Sequence, residues 1–226
     1  MTRQRRKSSV SELVVSSYQL ASMRQQAVIE SWIAGSLKLG GKLPNSLLVV
    51  SIQQVGSLDA LLRSMEDELT SDVIQSEIRP WVLNPLTSLS EIWVGQIYEI
   101  VRLTQERNLV VDDNILSEIA HDLRVLRIPI EKHEIAQDRI LTAPLALSKF
   151  SPKQDDIPSR YDKKDPLRAH IMPRAISARG SVQWLAVDIS VDVGQRWIER
   201  RDLSDRILEL LCTARRAVAT MCQRGR

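Results

Sequence analysis

Four successive stretches of this chain repeat their apolar side chains at three- and four-residue steps, a period that restricts them to helices buried along one face. Residues 11–38 carry Val14, Tyr18, Ala21, Val28 and Trp32, and Gly40-Gly41 supplies a stop. After a loop at Pro44-Asn45, residues 46–78 carry Leu47, Leu48, Ile52, Val55, Leu58, Leu61, Leu62, Met65 and Leu69. The spacing predicts helix there, with Gly56 as a candidate break and Leu47–Val50 readable as strand. Pro80 and Pro85 predict a turn around Trp81. Ser88 and Glu91 then form a capping-box pattern ahead of the stripe Leu89, Ile92, Trp93, Ile97, Ile100 and Val101. Asp112 or Asp113 is the expected cap of a fourth helix bearing Ile115, Ile119, Leu123 and Leu126. Pro129 disfavours helical geometry at Ile128, so this helix is expected to end or kink just after Arg127, with a short helix following over about 130–141.

Composition agrees. The 226 residues hold only eight glycines, and aromatics make up 4%, a poor basis for an all-β sandwich. The character changes after Phe150: Pro152, Pro158 and Pro166 stand among Lys, Asp and Ser, as in an extended connection. Beyond it, 170–176 and 182–189 have strand character around Arg179-Gly180-Ser181, and 195–199 adds a third candidate strand. Leu203, Ile207, Leu210, Leu211 and Ala214 mark a last helix. The expected fold is therefore mainly α, a helical bundle over 11–145. An extended connection over 146–168 follows, then a small α+β C-terminal section over 169–226.

Charge and cysteines exclude several classes of function. The net charge is +3, but the basic excess sits at the ends: Arg3, Arg5, Arg6 and Lys7 at one, Arg215, Arg216, Arg224 and Arg226 at the other. The body between them is acidic on balance, so it has no broad nucleic-acid footprint. Cys212 and Cys222, with no histidines beside them, make no zinc site, and no disulfide framework is expected. No metal or cofactor is expected. No apolar run is long enough for a membrane span or signal peptide, which makes the cytoplasm the expected compartment.

The three histidines are His121, His133 and His170. No nucleophile-elbow pattern and no glycine-rich phosphate loop accompanies them. Arg127 and His133 have five residues between them in Leu126-Arg127-Ile128-Pro129-Ile130-Glu131-Lys132-His133-Glu134. This arrangement resembles the Arg-x(4–6)-His motif of the HEPN superfamily, helical-bundle domains that include metal-independent ribonucleases of toxin and defence systems. The resemblance covers residues 11 to about 145. It implies a homodimer with RNA as substrate, in which Arg127 holds the phosphate and His133 moves a proton of the ribose 2′-hydroxyl. Without that chemistry, Arg127 pairs with Glu131 or Glu134 and His133 caps a turn.

Residues 168–179 form a basic concentration with Arg168, Arg174 and Arg179, and Arg200 and Arg201 follow beside Trp197. These five arginines are the candidate RNA contacts, and Trp197 is the candidate anchor for a protein partner. The plainer reading of 197–206 is a helix entry with surface ion pairs. The rival to an RNA enzyme is a non-catalytic interaction or assembly module. A sensor built in the bundle core is a third reading, for which no specific residues stand out.

Overall fold

The computed structural model describes residues 9–41, 47–71, 77, 79–110, 113–147, 159–190 and 194–223. Six α-helices form most of it: α1 Val10–Arg24, α2 Gln26–Gly40, α3 Leu48–Thr70, α4 Arg79–Glu106, α5 Asp113–Lys132 and α6 Arg200–Gln223. Between α5 and α6 lie five short strands: β1 Leu145–Leu147, β2 Ser159–Tyr161, β3 Arg174–Ile176, β4 Val182–Asp188 and β5 Gly194–Glu199. The strands β1 and β2 pair antiparallel, and β3-β4-β5 make a second antiparallel sheet with Trp184 opposite both Arg174 and Ile198. The expected mainly helical chain with a small α+β section is what the molecule has. The Pro44-Asn45 loop, Asp112, Pro152, Pro158 and the basic end residues 3–7 and 224–226 lie outside the described residues, as do the side chains of Arg215, Arg216 and Cys222.

Local chemistry explains where the elements begin and break. A capping box opens α1, with the Glu12 amide donating to Ser9 Oγ and the Ser9 amide to Glu12 Oε2. The single helix expected over 11–38 is interrupted at Gln25, whose φ of −110° and ψ of 35° leave the helical region. Its side chain donates to Asp67 at 2.8 Å, and Arg24 pairs with Glu68, so the joint is held against the end of α3. The candidate break at Gly56 is not one. A Cβ there would lie 2.5 Å from Trp32, so the glycine serves close approach of α2 and α3, and the helix runs through it.

Prolines mislead twice. The turn expected around Trp81 is the first part of α4, with Pro80 in the opening turn, where no N–H is needed, and Pro85 inside the helix. The end expected after Arg127 is also absent: α5 continues through Pro129 to Lys132. A proline inside a helix costs about 3 kcal/mol, and burial of Val125 and Leu126 with packing of Ile130 on the core offsets it. The short helix expected over 130–141 reduces to one 3-10 turn, Asp138–Ile140.

Packing joins the two sections. Helix α3 packs on α1, α2 and α4, α4 packs on α5, and α6 packs on α2 and α5. One apolar core includes Trp32, Ile52, Leu62, Trp93, Ile97 and Leu123 of the bundle together with Trp184, Leu203 and Ile207. A smaller cluster of Ile135, Leu141, Leu147, Tyr161, Val187 and Ile189 sits under the β1–β2 hairpin. The β3–β4 turn presses on α3: Gly180 has φ +76°, and a Cβ on it would lie 2.3 Å from the Glu66 carbonyl oxygen. Gly180→Ala is therefore expected to cost about 2–3 kcal/mol, from left-handed strain plus displacement of the turn. Urea unfolding checks this, and a loss under about 0.5 kcal/mol contradicts the contact.

Candidate functional site

Arg127 sits on α5 facing α4. Its Nε donates to Glu131 Oε1 at 2.9 Å, its terminal nitrogen lies 3.4 Å from Glu99, and its guanidinium stands 4.7 Å from the centre of the Tyr98 ring. His133 follows the last residue of α5 in the left-handed conformation, φ 56°. Its amide donates to the Pro129 carbonyl, its own carbonyl accepts the His170 amide at 2.7 Å, and its imidazole is exposed. Both side chains reach solvent, yet among the described residues they share no partner. Arg127 is held by the i,i+4 pair with Glu131 that its sequence spacing offers.

The five arginines chosen as RNA contacts each carry a carboxylate. Arg168 pairs with Glu134 at 2.7 Å and Asp138 at 3.3 Å, and Arg174 pairs with Glu91 of α4 at 2.8 Å. Arg179 reaches Glu199 and Asp205, both at 3.1 Å, while Arg201 reaches Asp67 at 2.6 Å. Arg200 requires a correction: it is fully buried, so neither a surface ion pair nor a phosphate contact describes it. Trp197 is 38% exposed on β5, beside a shallow cavity of about 250 Å³ lined by Asp122, Gln183, Arg196, Glu199 and Arg206.

Among the described residues, the ion pairs around Arg200 are buried on both sides. The Arg200 Nε and one terminal nitrogen bind the two oxygens of Glu66, both at 2.8 Å, and the other reaches Asp59 Oδ1 at 2.5 Å. Asp59 also accepts from Trp32 Nε1 and from Arg63 Nε, each at 3.0 Å, and Arg63 continues to Ser204 and Asp205. The Arg200 guanidinium stands 5.4 Å from the centre of the Trp93 ring. Burial alone would raise the Asp59 carboxyl, but the Arg200 and Arg63 charges and the Trp32 N–H hold it below its ordinary value. Burial likewise opposes charge on Arg200, and Glu66 and Asp59 more than restore it. Closed to solvent and with its charges paired, this cluster can fasten elements but cannot receive a substrate.

A sequence signal for it existed. On α3 the buried stripe Ile52, Val55, Leu62 and Leu69 includes positions 59 and 66, where two acids stand at core places. Their partner, 134 to 141 residues away, carries no such local mark.

A second polar network links α5 to the sheet. His121 Nε2 lies 2.6 Å from Asp188 Oδ2, and Asp188 Oδ1 accepts from the Ser190 amide and hydroxyl. Asp122 receives Arg196 at 2.5 Å and Arg206 at 2.6 Å. The hydroxyl of Ser190 binds the carboxylate and not the imidazole, so the order needed for a nucleophilic serine is missing. Among the described residues, no group of three metal-ligating side chains occurs, and no helix is long and apolar enough to cross a membrane.

A further exposed apolar surface lies on α1. Ala21 is its one buried side chain, whereas Val10, Leu13, Val14, Val15, Leu20 and Met23 are exposed. An open groove of about 640 Å³, lined by Val14, Val15, Tyr18, Met23 and Ser57, runs beside it. No protein-family model, curated protein or solved structure matches this chain.

Burial raises the Asp188 carboxyl, and the hydrogen bonds from His121 and Ser190 outweigh it, lowering it from 3.8 to about 2. A carboxylate whose folded value lies below its unfolded one stabilises the fold above the unfolded value, and this contribution disappears as pH falls toward 2. Asp188→Asn should therefore flatten the stability curve between about pH 4 and pH 2. An acid limb identical to that of the wild type contradicts the role assigned to this carboxylate.

Proposed function

We propose that this chain is a non-catalytic interaction module that binds protein through the exposed apolar face of α1. The observation that carries the reading is the exposure of that helix: from Ser9 to Ser17 every residue is exposed, four of them apolar. An isolated helix of about 15 residues is marginal in water, and most helical stability comes from packing an apolar face. Here the capping box sets the helix start, but the bundle covers only the side around Ala21, Tyr18 and Ser22. The rest exposes Val10, Leu13, Val14, Val15, Leu20 and Met23 among polar neighbours, and exposed apolar side chains in such number mark interaction sites.

A second reading, cleavage of RNA by Arg127 and His133, rests on the HEPN resemblance and on the solvent exposure of the His133 imidazole. In it the arginine neutralises the phosphate and the histidine transfers the 2′-hydroxyl proton. Using the ion-paired Arg127 in this way requires a phosphate to compete with Glu131 and Glu99. The interaction reading needs no such rearrangement and is preferred.

One set of preparations separates the two. The variant Leu13→Glu, Met23→Glu should keep the wild-type melting temperature within about 2 °C, because both side chains are exposed. It should lose the protein complex formed by the full-length chain in its own cells. The wild-type protein should leave single-stranded RNA intact in EDTA. A complex that survives the double substitution contradicts the interaction reading. RNA cleavage that is abolished by His133→Ala, in a variant that still folds, replaces it with the enzyme.

A further inference from the structure

We infer that Gln25 is a hinge and α1 a strap: released from α3, α1 swings out to continue α2 as one helix over residues 10–40. The inference goes beyond the reading of α1 as an interaction face and does not depend on it. The bend between the two helices is one residue wide. Gln25, at φ −110° and ψ 35°, is the single residue between them. Its amide still donates to the Ala21 carbonyl, and its own carbonyl accepts the Ile29 amide, so the helical ladder runs into the joint from both sides. Turning ψ of Gln25 by about 75° restores ordinary helical geometry.

Nothing in the local sequence calls for the bend. Met23-Arg24-Gln25-Gln26-Ala27 contains no glycine or proline, and all five are among the better helix formers. The Gln25 side chain does not cap α2, and no acid stands in the first turn of that helix. The apolar register also passes straight through the joint. On an unbroken helix Val14, Tyr18, Ala21, Val28, Trp32 and Leu39 fall within about 80° of one another. A break without a local cause is imposed by tertiary contacts.

Those contacts are few and lie near the surface. Ala21 is the one buried side chain of α1. Gln25 Nε2 donates to Asp67 at 2.8 Å, and Arg24 pairs with Glu68 through side chains that are 42% and 30% exposed. Exposed pairs add little to stability and weaken in salt. Farther from the joint, Val14, Val15 and Ser57 of α3 line an open groove instead of a packed contact. The strap is therefore fastened at its α2 end and loose at the other. Swinging it out frees Tyr18 and Ala21 from the bundle, so the state of the joint sets how much of α1 is accessible.

The distance between two spin labels on the full chain tests the hinge. Ser16→Cys on α1 and Gln54→Cys on α3, both at exposed positions, carry the labels in a background of Cys212→Ser and Cys222→Ser. Helix α2 runs antiparallel to α3, with Trp32 bonded to Asp59 and Ser36 to Gln53. A straight α1 therefore projects past the Asp67 end of α3, which should lengthen the separation by about 10 Å. The wild-type joint should show the short distance with a minor long one, and raising salt to about 1 M should enlarge the long one. Arg24→Ala, Gln25→Ala removes both fastenings and favours helix at the joint. It should raise the long population about tenfold with helical circular dichroism unchanged. A double-alanine variant that keeps the wild-type distances overturns the hinge. Loss of the helical signal of α1 in that variant overturns it as well, since α1 then unfolds instead of swinging. The interaction face is judged separately, by Leu13→Glu, Met23→Glu.

Discussion

The fold depends on one buried guanidinium. Arg200 stands where β5 passes into α6 and binds two acids on α3, so the C-terminal section and the bundle are joined by an ion pair that water cannot reach. Taking such charges out of water costs several kcal/mol per ion, and the cost is recovered only when geometry is close and lone pairs are satisfied. The site meets both conditions. Glu66 is gripped at both oxygens, Asp59 is served by Arg200, Arg63 and the Trp32 N–H, and Trp93 lies near the guanidinium. The arrangement does more than add stability. An arginine in this place accepts only a register in which both acids face it, which specifies how β5 and α6 meet α3. The close seat of Gly180 on the Glu66 backbone belongs to the same junction.

With the interior committed to structure, the functional question moves to the surface. Arg174 of β3 is tied to a carboxylate on α4, and Arg201, at the start of α6, to one on α3. These pairs hold the sheet on the bundle and reduce the positive potential an RNA strand would meet. Exposed apolar surface behaves differently, because nothing in the monomer compensates for it. That contrast between paired charge and exposed apolar area is what supports the proposal of a protein partner over a nucleic acid.

Much of the architecture was legible in the residues because helical periodicity is a local signal. Ile52 and Leu62, Trp93 and Ile97, and Ile119 and Leu123 are buried in the core, whereas Leu47, Ile92 and Ile115 of the same stripes are exposed. Expectations built on single punctuating residues divided: the turn at Gly180 is present, but two expected breaks are not. Pro129 and Gly56 both mark possible breaks, and each is overridden by packing that local rules do not contain: burial around Leu126 in one case, contact with Trp32 in the other. The Arg200 cluster was hidden for a related reason. Its partners are far apart in the chain, and an arginine among Glu199, Arg201 and Asp202 looks like any solvated helix entry. The two acids inside the α3 stripe were the readable half of it. The exposure of α1 was not readable at all, since its apolar pattern is equally suited to a core helix and only tertiary structure shows which face is left bare.

The Arg200 junction ties the C-terminal section to the bundle, so the two should unfold as one cooperative unit. Guanidinium unfolding of Arg200→Ala, followed in parallel by tryptophan fluorescence and helical circular dichroism, tests it most directly. The expected loss is about 3–5 kcal/mol, because Asp59 and Glu66 are left buried beside an empty site. The loss should act on the whole molecule, so that both probes shift together in the variant. A loss below about 1 kcal/mol, or a bundle that keeps its wild-type midpoint while the C-terminal section melts separately, would contradict it.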